Sequence, residues 1–310
     1  RGLGDVYNRQ KPASTMLLVM DWDETITEHD TLSLVVPTDS EIRSTSPPFS
    51  HYTDAYMQDY EKFKNERPQA AELSSLMQRL ADVDWVEKRS LDRMTEGMLF
   101  WKTRPEERQK RISQVAYRAG WAQTQEWIAE RAHSGHVQAF ILSVNWSRQF
   151  VMNALCGGDA TPQSGAELDL YRATGIRDVL ANELEVDPQT QECTGRFVGP
   201  SGGEPIRTGI HKRQLLEQLK ERSTNGPVVY VGDSTTDLPC LLWADVGVVI
   251  GTNGSLLRTL DTAAQRVKLV SPSAWLEQAQ ASAPQLPRDT LIHVQDWGSL
   301  SAVLDYLDKH

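Results

Sequence analysis

The chain has 310 residues, 39% hydrophobic and 24% charged, with 20 Gly and 15 Pro, an ordinary globular composition with room for one large core and a second, smaller unit. A formal net charge of −10 without a block of Lys or Arg argues against a phosphate-backbone binder, so no nucleic-acid partner is expected. No apolar run approaches the roughly 20 residues that span a bilayer, so no membrane partner is expected either. Cys156, Cys193 and Cys240 are odd in number and far apart, which predicts neither a disulfide framework nor a zinc site and suits a reducing, cytoplasmic compartment. The sequence opens on Arg1 rather than Met, so an upstream segment is not excluded.

In chain order, Gly2-Leu3-Gly4 lacks a third glycine and a preceding strand and predicts no dinucleotide site. Met16–Met20 is a continuous apolar run and reads as a buried strand. The next hundred residues carry no clear strand pattern. Residues 54–67, 70–98 and 105–120 read as charge-rich amphipathic helices, and 34–120 as a helical insertion whose apolar residues, Trp85 and Trp101 included, form its own core. Residues 121–133 read as a helix that stops at Gly135 and leads into a second strand, Val137–Leu142. Within the Gly- and Pro-rich stretch 156–207, residues 180–197 read as a small strand pair around a turn. A helix over 212–222 stops near Asn225-Gly226-Pro227 and leads into a third strand at 228–231, and a fourth follows at Val246–Ile250. Residues 271–289 read as a surface excursion, followed by a strand at 291–294 and a closing helix at 300–307. Strand, helix, strand with Gly and Pro stops predicts an α/β fold with a doubly wound parallel sheet, the core being 1–33 plus 121–310 and the insertion 34–120. Continuous rather than alternating apolar strands agree with a sheet buried on both faces.

Chemistry in such sheets gathers beyond the carboxyl ends of the strands. The first strand delivers Asp21-Trp22-Asp23-Glu24-Thr25 there, the second Ser143-Val144-Asn145, the third Gly232-Asp233-Ser234-Thr235-Thr236-Asp237, and Lys212 opens the helix before the third. Two carboxylates this close cannot both ionise cheaply, so their neighbours must push their pKa values apart, as an acid–base pair requires.

Asp21/Asp23/Thr25, Ser143, Lys212 and Asp233/Asp237, in that order, resemble the haloacid dehalogenase (HAD) superfamily of phosphohydrolases over nearly the whole core. The insertion after the first motif is similar to the type-1 cap of that superfamily, and residues 181–197 and 231–245 look like its phosphoserine phosphatase-like branch. The resemblance implies a Mg²⁺-dependent phosphomonoesterase acting on a small phosphorylated metabolite through an aspartyl-phosphate. Asp21 would be the nucleophile, Asp23 the general acid and then base, and Lys212 the neutralising cation. Ser143, the N–H groups of Val144 and Asn145, Thr25 and Lys212 would bind phosphate. Mg²⁺ would be held by Asp21, the carbonyl of Asp23, and Asp233, with Asp237 behind the metal or orienting Lys212. A phosphotransferase or phosphomutase, or a silent binding protein on the same core, stays open as an alternative. The branch often carries Ser-Gly-Gly and Gly-Asp-Gly-x-Asn-Asp at the second and third motifs. Here side chains replace those hydrogens, which leaves the substrate open. Glu66, Arg67, Arg89 and Arg93 could read a head group but suit solvated helix faces.

Overall fold

The computed structural model describes residues 15–43, 45–67, 70–157, 166–223, 225–263, 266–282 and 290–309; Gly2 and Gly4 lie outside them. The strands among the described residues are β1 (Met16–Met20), β2 (Val137–Leu142), β3 (Ile176–Leu180), β4 (Glu183–Val186), β5 (Cys193–Val198), β6 (Val228–Gly232), β7 (Val246–Ile250), β8 (Lys268–Val270) and β9 (Thr290–Val294). Seven of them form one all-parallel sheet in the order β3-β2-β1-β6-β7-β9-β8, and β4 and β5 form a separate antiparallel pair. The chain winds outward on one side of β1 through β2 and β3, then crosses to the other side at β6. Crevices open at such reversals of strand order.

Strand periodicity of two divides β1 between two cores. Met16, Leu18 and Met20 face one, with Trp121, Ile128 and Val303 from helices Trp121–Ser134 and Ser301–Lys309. Leu17 and Val19 face the other, with Leu216 and Leu241 from helices Gly209–Arg222 and Leu238–Trp243. The expected continuous apolar pattern thus has its cause in helices covering both faces. No helix among the described residues is long and apolar enough to cross a membrane.

The insertion differs from its sequence reading. Residues 70–98 split into two helices, Leu73–Asp82 and Asp84–Glu96, after helix Phe49–Glu66. Residues 105–120 are helical only at Pro105–Gln109 and in one short turn, Ile112–Gln114. The insertion does not close its own core: Tyr52, Leu91, Met94, Leu99 and Phe100 pack with Leu184 and Cys193 of the β4–β5 hairpin, while Leu76 joins the core over the sheet. Trp85 is exposed, and half-buried Trp101 carries Arg43 and Lys102 against its ring at 4.2 and 4.9 Å. Backbone bonds between Lys102 N and Cys193 O, and between Cys193 N and Thr103 O, each 2.8 Å, stitch insertion and hairpin together. The expected surface excursion contains helix Pro272–Ser282, held by buried Trp275 and Ala279; residues 283–289 of that stretch lie outside the described ones.

Candidate active site

Register alone brings the motifs together. Met20 pairs with Ile141 on one side and Val231 on the other, so the residues that follow, Asp21, Leu142-Ser143 and Gly232-Asp233, leave the sheet at one level. The N–H of Asp21 donates to the Val231 carbonyl at 2.9 Å, extending the ladder by one residue and fixing the Asp21 backbone. Glu24 then adopts φ 55°, a left-handed turn uncommon for a non-glycine residue and of a kind that clusters at functional sites.

Asp21 Oδ1 accepts from the Trp22 N–H at 2.7 Å and pairs with Lys212 Nζ at 2.9 Å. Lys212, fully buried, donates at 2.8 Å to Asp237 Oδ1 as well. Asp237 is saturated: Oδ1 also accepts the Tyr230 hydroxyl at 2.7 Å, and Oδ2 accepts Asp233 N, Ser234 N and Ser234 Oγ at 3.2, 3.1 and 2.9 Å. A carboxylate offers about four lone-pair sites, so Asp237 is occupied as the anchor of Lys212 and of the loop after β6. Gly232 makes room for it. A Cβ there would sit 2.5 Å from Asp237 Cγ.

Asp21, Asp233 and Asp237 present oxygens within 4.8 Å of one another. Three buried carboxylates face one lysine, and the titration behaviour records the imbalance. Burial, then Asp237, hold Asp21 well above the usual carboxylate range, against the pull of Lys212. Burial, then Asp237 and Glu24, push Asp233 up to about 7. For Asp237 burial acts upward, but Lys212 and the bonds from Tyr230 and Ser234 outweigh it and leave the group lowered. Burial acts to lower the Lys212 pKa, yet Asp21 and Asp237 raise it, so the amine stays charged. An all-oxygen, electron-rich and charge-deficient donor set fits a hard divalent cation such as Mg²⁺. Asp21, bonded at Oδ1 alone, and Asp233, with one bond on each oxygen, are the two with lone pairs to spare among the described residues.

Asp23 points elsewhere. Its Oδ1 accepts from Thr31 N and Oγ1 at 2.7 and 2.5 Å, and its Oδ2 from Asn145 Nδ2 at 2.9 Å. The Thr31 hydroxyl is itself fixed by accepting from Trp22 Nε1 and Asn145 Nδ2 at 3.0 and 3.1 Å. Burial first, then the charge of Asp30, push the Asp23 pKa up to about 6 against those hydrogen bonds. The two motif aspartates therefore differ in environment: Asp21 is tied to a lysine, while Asp23 is held by neutral donors.

The phosphate-binding expectations divide. Ser143 is buried beside this edge, and the Val144 N–H makes no hydrogen bond among the described residues. The Asn145 N–H, expected to be free, instead donates to Ser143 Oγ at 3.0 Å; the contribution of Asn145 is its side chain on Asp23. Thr25 Oγ1, also expected on phosphate, donates to Asp233 Oδ1 at 3.1 Å and so orients a carboxylate. Arg89 and Arg93 hold Asp59, Arg67 pairs with Asp82, and Glu66 with Lys62, so all four pair within the insertion; Asp59 is buried and Arg93 half-buried there, not on a solvated face.

Thr31, Tyr230, Asn253 and Asn182 were not anticipated. Asn253 Nδ2 reaches Asp233 Oδ2 at 3.4 Å. Asn182, at the exit of β3, donates to Val144 O and Ile206 O at 3.1 and 2.9 Å and accepts from Ile206 N at 2.6 Å, stapling the second-motif loop. Tyr230 alone left a trace, since a tyrosine inside an otherwise apolar strand needs a partner for its hydroxyl. Asn182→Ala would orphan three backbone groups, two of them buried, and is expected to cost about 3 kcal/mol of stability, measured by urea unfolding; a loss below about 1 kcal/mol would show that the loop is held without it.

No family model matches the chain. A CTO1 family protein of Schizosaccharomyces pombe is 24% identical over 244 residues, 77% of this chain and 82% of that one. Among solved structures, a phosphoserine phosphatase in its apo form is 15% identical at a TM-score of 0.46, covering 94% of this chain and 98% of that one. A HAD family hydrolase from Salmonella enterica serovar Typhi is 13% identical at 0.44, covering 80% and 66%. A functionally unknown protein from Anaerococcus prevotii is 15% identical at 0.43, covering 92% and 91%. The four motif elements, brought to one edge of a parallel α/β sheet, resemble the HAD superfamily.

Proposed function

We propose that the chain is a HAD-type, Mg²⁺-dependent phosphomonoesterase that cleaves a small phosphorylated metabolite through an aspartyl-phosphate. The observation that carries this reading is the Asp21–Lys212 pair at 2.9 Å, with Asp233 and Asp237 in the same cluster, next to an independently held Asp23. Asp21 Oδ2, without a protein hydrogen bond among the described residues, is the atom free to attack.

Bound by Asp21 and Asp233, Mg²⁺ would supply positive charge to the phosphoryl oxygens and to Asp21. In the first step Asp21 forms a bond to phosphorus as the ester P–O bond breaks, and Asp23 passes its proton to the departing oxygen. In the second, Asp23 takes a proton from water, the water oxygen bonds to phosphorus, and the bond to Asp21 breaks to release inorganic phosphate. Lys212 offsets charge on Asp21 throughout, and the Ser143 hydroxyl and Val144 N–H would bind phosphoryl oxygens.

The test is phosphate release from p-nitrophenyl phosphate and a panel of phosphorylated metabolites, with Mg²⁺, after exhaustive chelation, and with added alcohol acceptors. Turnover is expected with Mg²⁺, with a loss of at least about 100-fold on chelation that Mg²⁺ restores. No release from any ester would overturn the enzymatic reading. Activity surviving chelation would remove the metal, and phosphate appearing on the acceptor would make the protein a phosphotransferase.

A further inference from the structure

A cavity of about 350 Å³ lies between the insertion and the sheet edge, a size that suits a metabolite rather than a polymer. It adjoins the candidate active site on two sides. Val144, which lines it, sits between Ser143 and Asn145, and Asp30, which also lines it, precedes the Thr31 that holds Asp23. Whatever leaves with the ester oxygen beside Asp23 has this space to occupy.

Aliphatic side chains line much of it, and among them stand four aromatic rings and two carboxyl groups, Asp30 and Glu87. Phe49, Tyr52 and Tyr56 come from one insertion helix, Glu87 from another, Trp146 from the loop after β2, and Arg207 from the approach to helix Gly209–Arg222. The only lining residue of positive charge among the described ones is already committed. Arg207 binds both oxygens of Asp84 at 2.7 and 3.2 Å and Glu204 at 3.2 Å. Glu87 is the reverse case: it accepts the Tyr56 hydroxyl at 2.8 Å and has no Lys, Arg or His within 4.0 Å among the described residues. A leaving group bearing a carboxylate would find no free cation here, whereas an organic cation would find a carboxylate lacking a counter-ion, set among rings whose π-faces attract positive charge.

We propose that this cavity binds the leaving group of the substrate, and that this leaving group carries an ammonium charge, seated against Glu87 and among Phe49, Tyr56 and Trp146. The inference rests on the phosphomonoesterase reading for its catalytic consequence, while the binding preference stands on the cavity itself. Burial, which pushes Glu87 up to about 7, agrees with a group whose missing partner is a cation.

Three aryl phosphates that differ at one para substituent test it: trimethylammoniomethyl, its neutral isostere neopentyl, and carboxymethyl. The cationic ester is expected to have a kcat/KM at least about 30-fold above the neutral one, with the acidic ester poorest. Glu87→Gln is expected to shrink the cationic-to-neutral ratio at least about tenfold. Hydrolysis of all three without a cationic preference overturns the inference and leaves the phosphatase reading intact. Should no ester turn over, the phosphatase reading fails, and calorimetry decides the cavity. Benzyltrimethylammonium binding to the wild-type protein, weakened about tenfold or more in Glu87→Gln and not matched by benzyl alcohol, supports the inference. No binding, or equal binding by the variant, overturns it.

Discussion

Asp21→Asn is expected to lower phosphate release about 10⁴-fold or more from every ester, with folding retained. The amide keeps the shape of the side chain and can still accept from Trp22 N–H and Lys212 at Oδ1, the atom both contact, but it has no anionic oxygen to bond to phosphorus. The neutral amide also relieves repulsion. Burial and Asp237 disfavour the charge of Asp21, and Lys212 keeps its second partner in Asp237 at 2.8 Å. The melting temperature should therefore stay level or rise. Activity above about one part in a hundred, measured on protein purified free of other phosphatases, would take the nucleophile's role from Asp21.

Asp23→Asn is expected to separate the two half-reactions. Loss of a general acid costs typically 10²–10⁴-fold, and most where the leaving oxygen is a poor one. An alkyl phosphate should lose about 10³-fold or more, while p-nitrophenyl phosphate, whose anion departs unaided, should still phosphorylate Asp21. Without a base to activate water, the phosphorylated protein accumulates. The expected signature is a burst of p-nitrophenolate of about one equivalent per chain, followed by slow turnover. Steady release without a burst, with equal losses for both esters, would show that Asp23 does not serve as acid and base. The variant keeps an oxygen for Thr31 but turns its amide toward the donor Asn145 Nδ2 in place of Oδ2, so a thermal melt that shows a folded variant accompanies the assay.

How far the sequence discloses this molecule depends on whether a residue's reason lies nearby in the chain. Strands β1, β2, β6, β7 and β9 were legible because they are interior to the sheet, and burial on both faces makes them predominantly apolar. The two that were missed, β3 and β8, are the sheet's two edges. Arg177 and Lys268 are exposed on them, and polar residues at an edge erase the signal of a buried run. The motif carboxylates were legible for the same local reason, as charges set at the end of a buried run. Lys212 was legible with them, but the neutral groups that hold Asp23 and the second-motif loop were not. Thr31, Asn145 and Asn182 act through contacts made only once strands from distant parts of the chain are side by side, and nothing in their immediate neighbourhood marks them. Asn145 was singled out for its backbone, but the loop turns its N–H onto Ser143 and its side-chain amide onto Asp23.

The joint between insertion and hairpin bears on how such a protein can be altered. Residues 34–120 look, in the linear sequence, like a cassette that could be lifted from one sheet and set on another. Their apolar side chains are completed by Leu184 and Cys193 from the hairpin and, through Leu76, by the sheet's own core. A graft that carries the helices without the hairpin would leave Leu99 and Phe100 wet. The unit that evolution or an engineer can exchange here is discontinuous, helices and hairpin together, and its borders do not coincide with the borders of the inserted stretch.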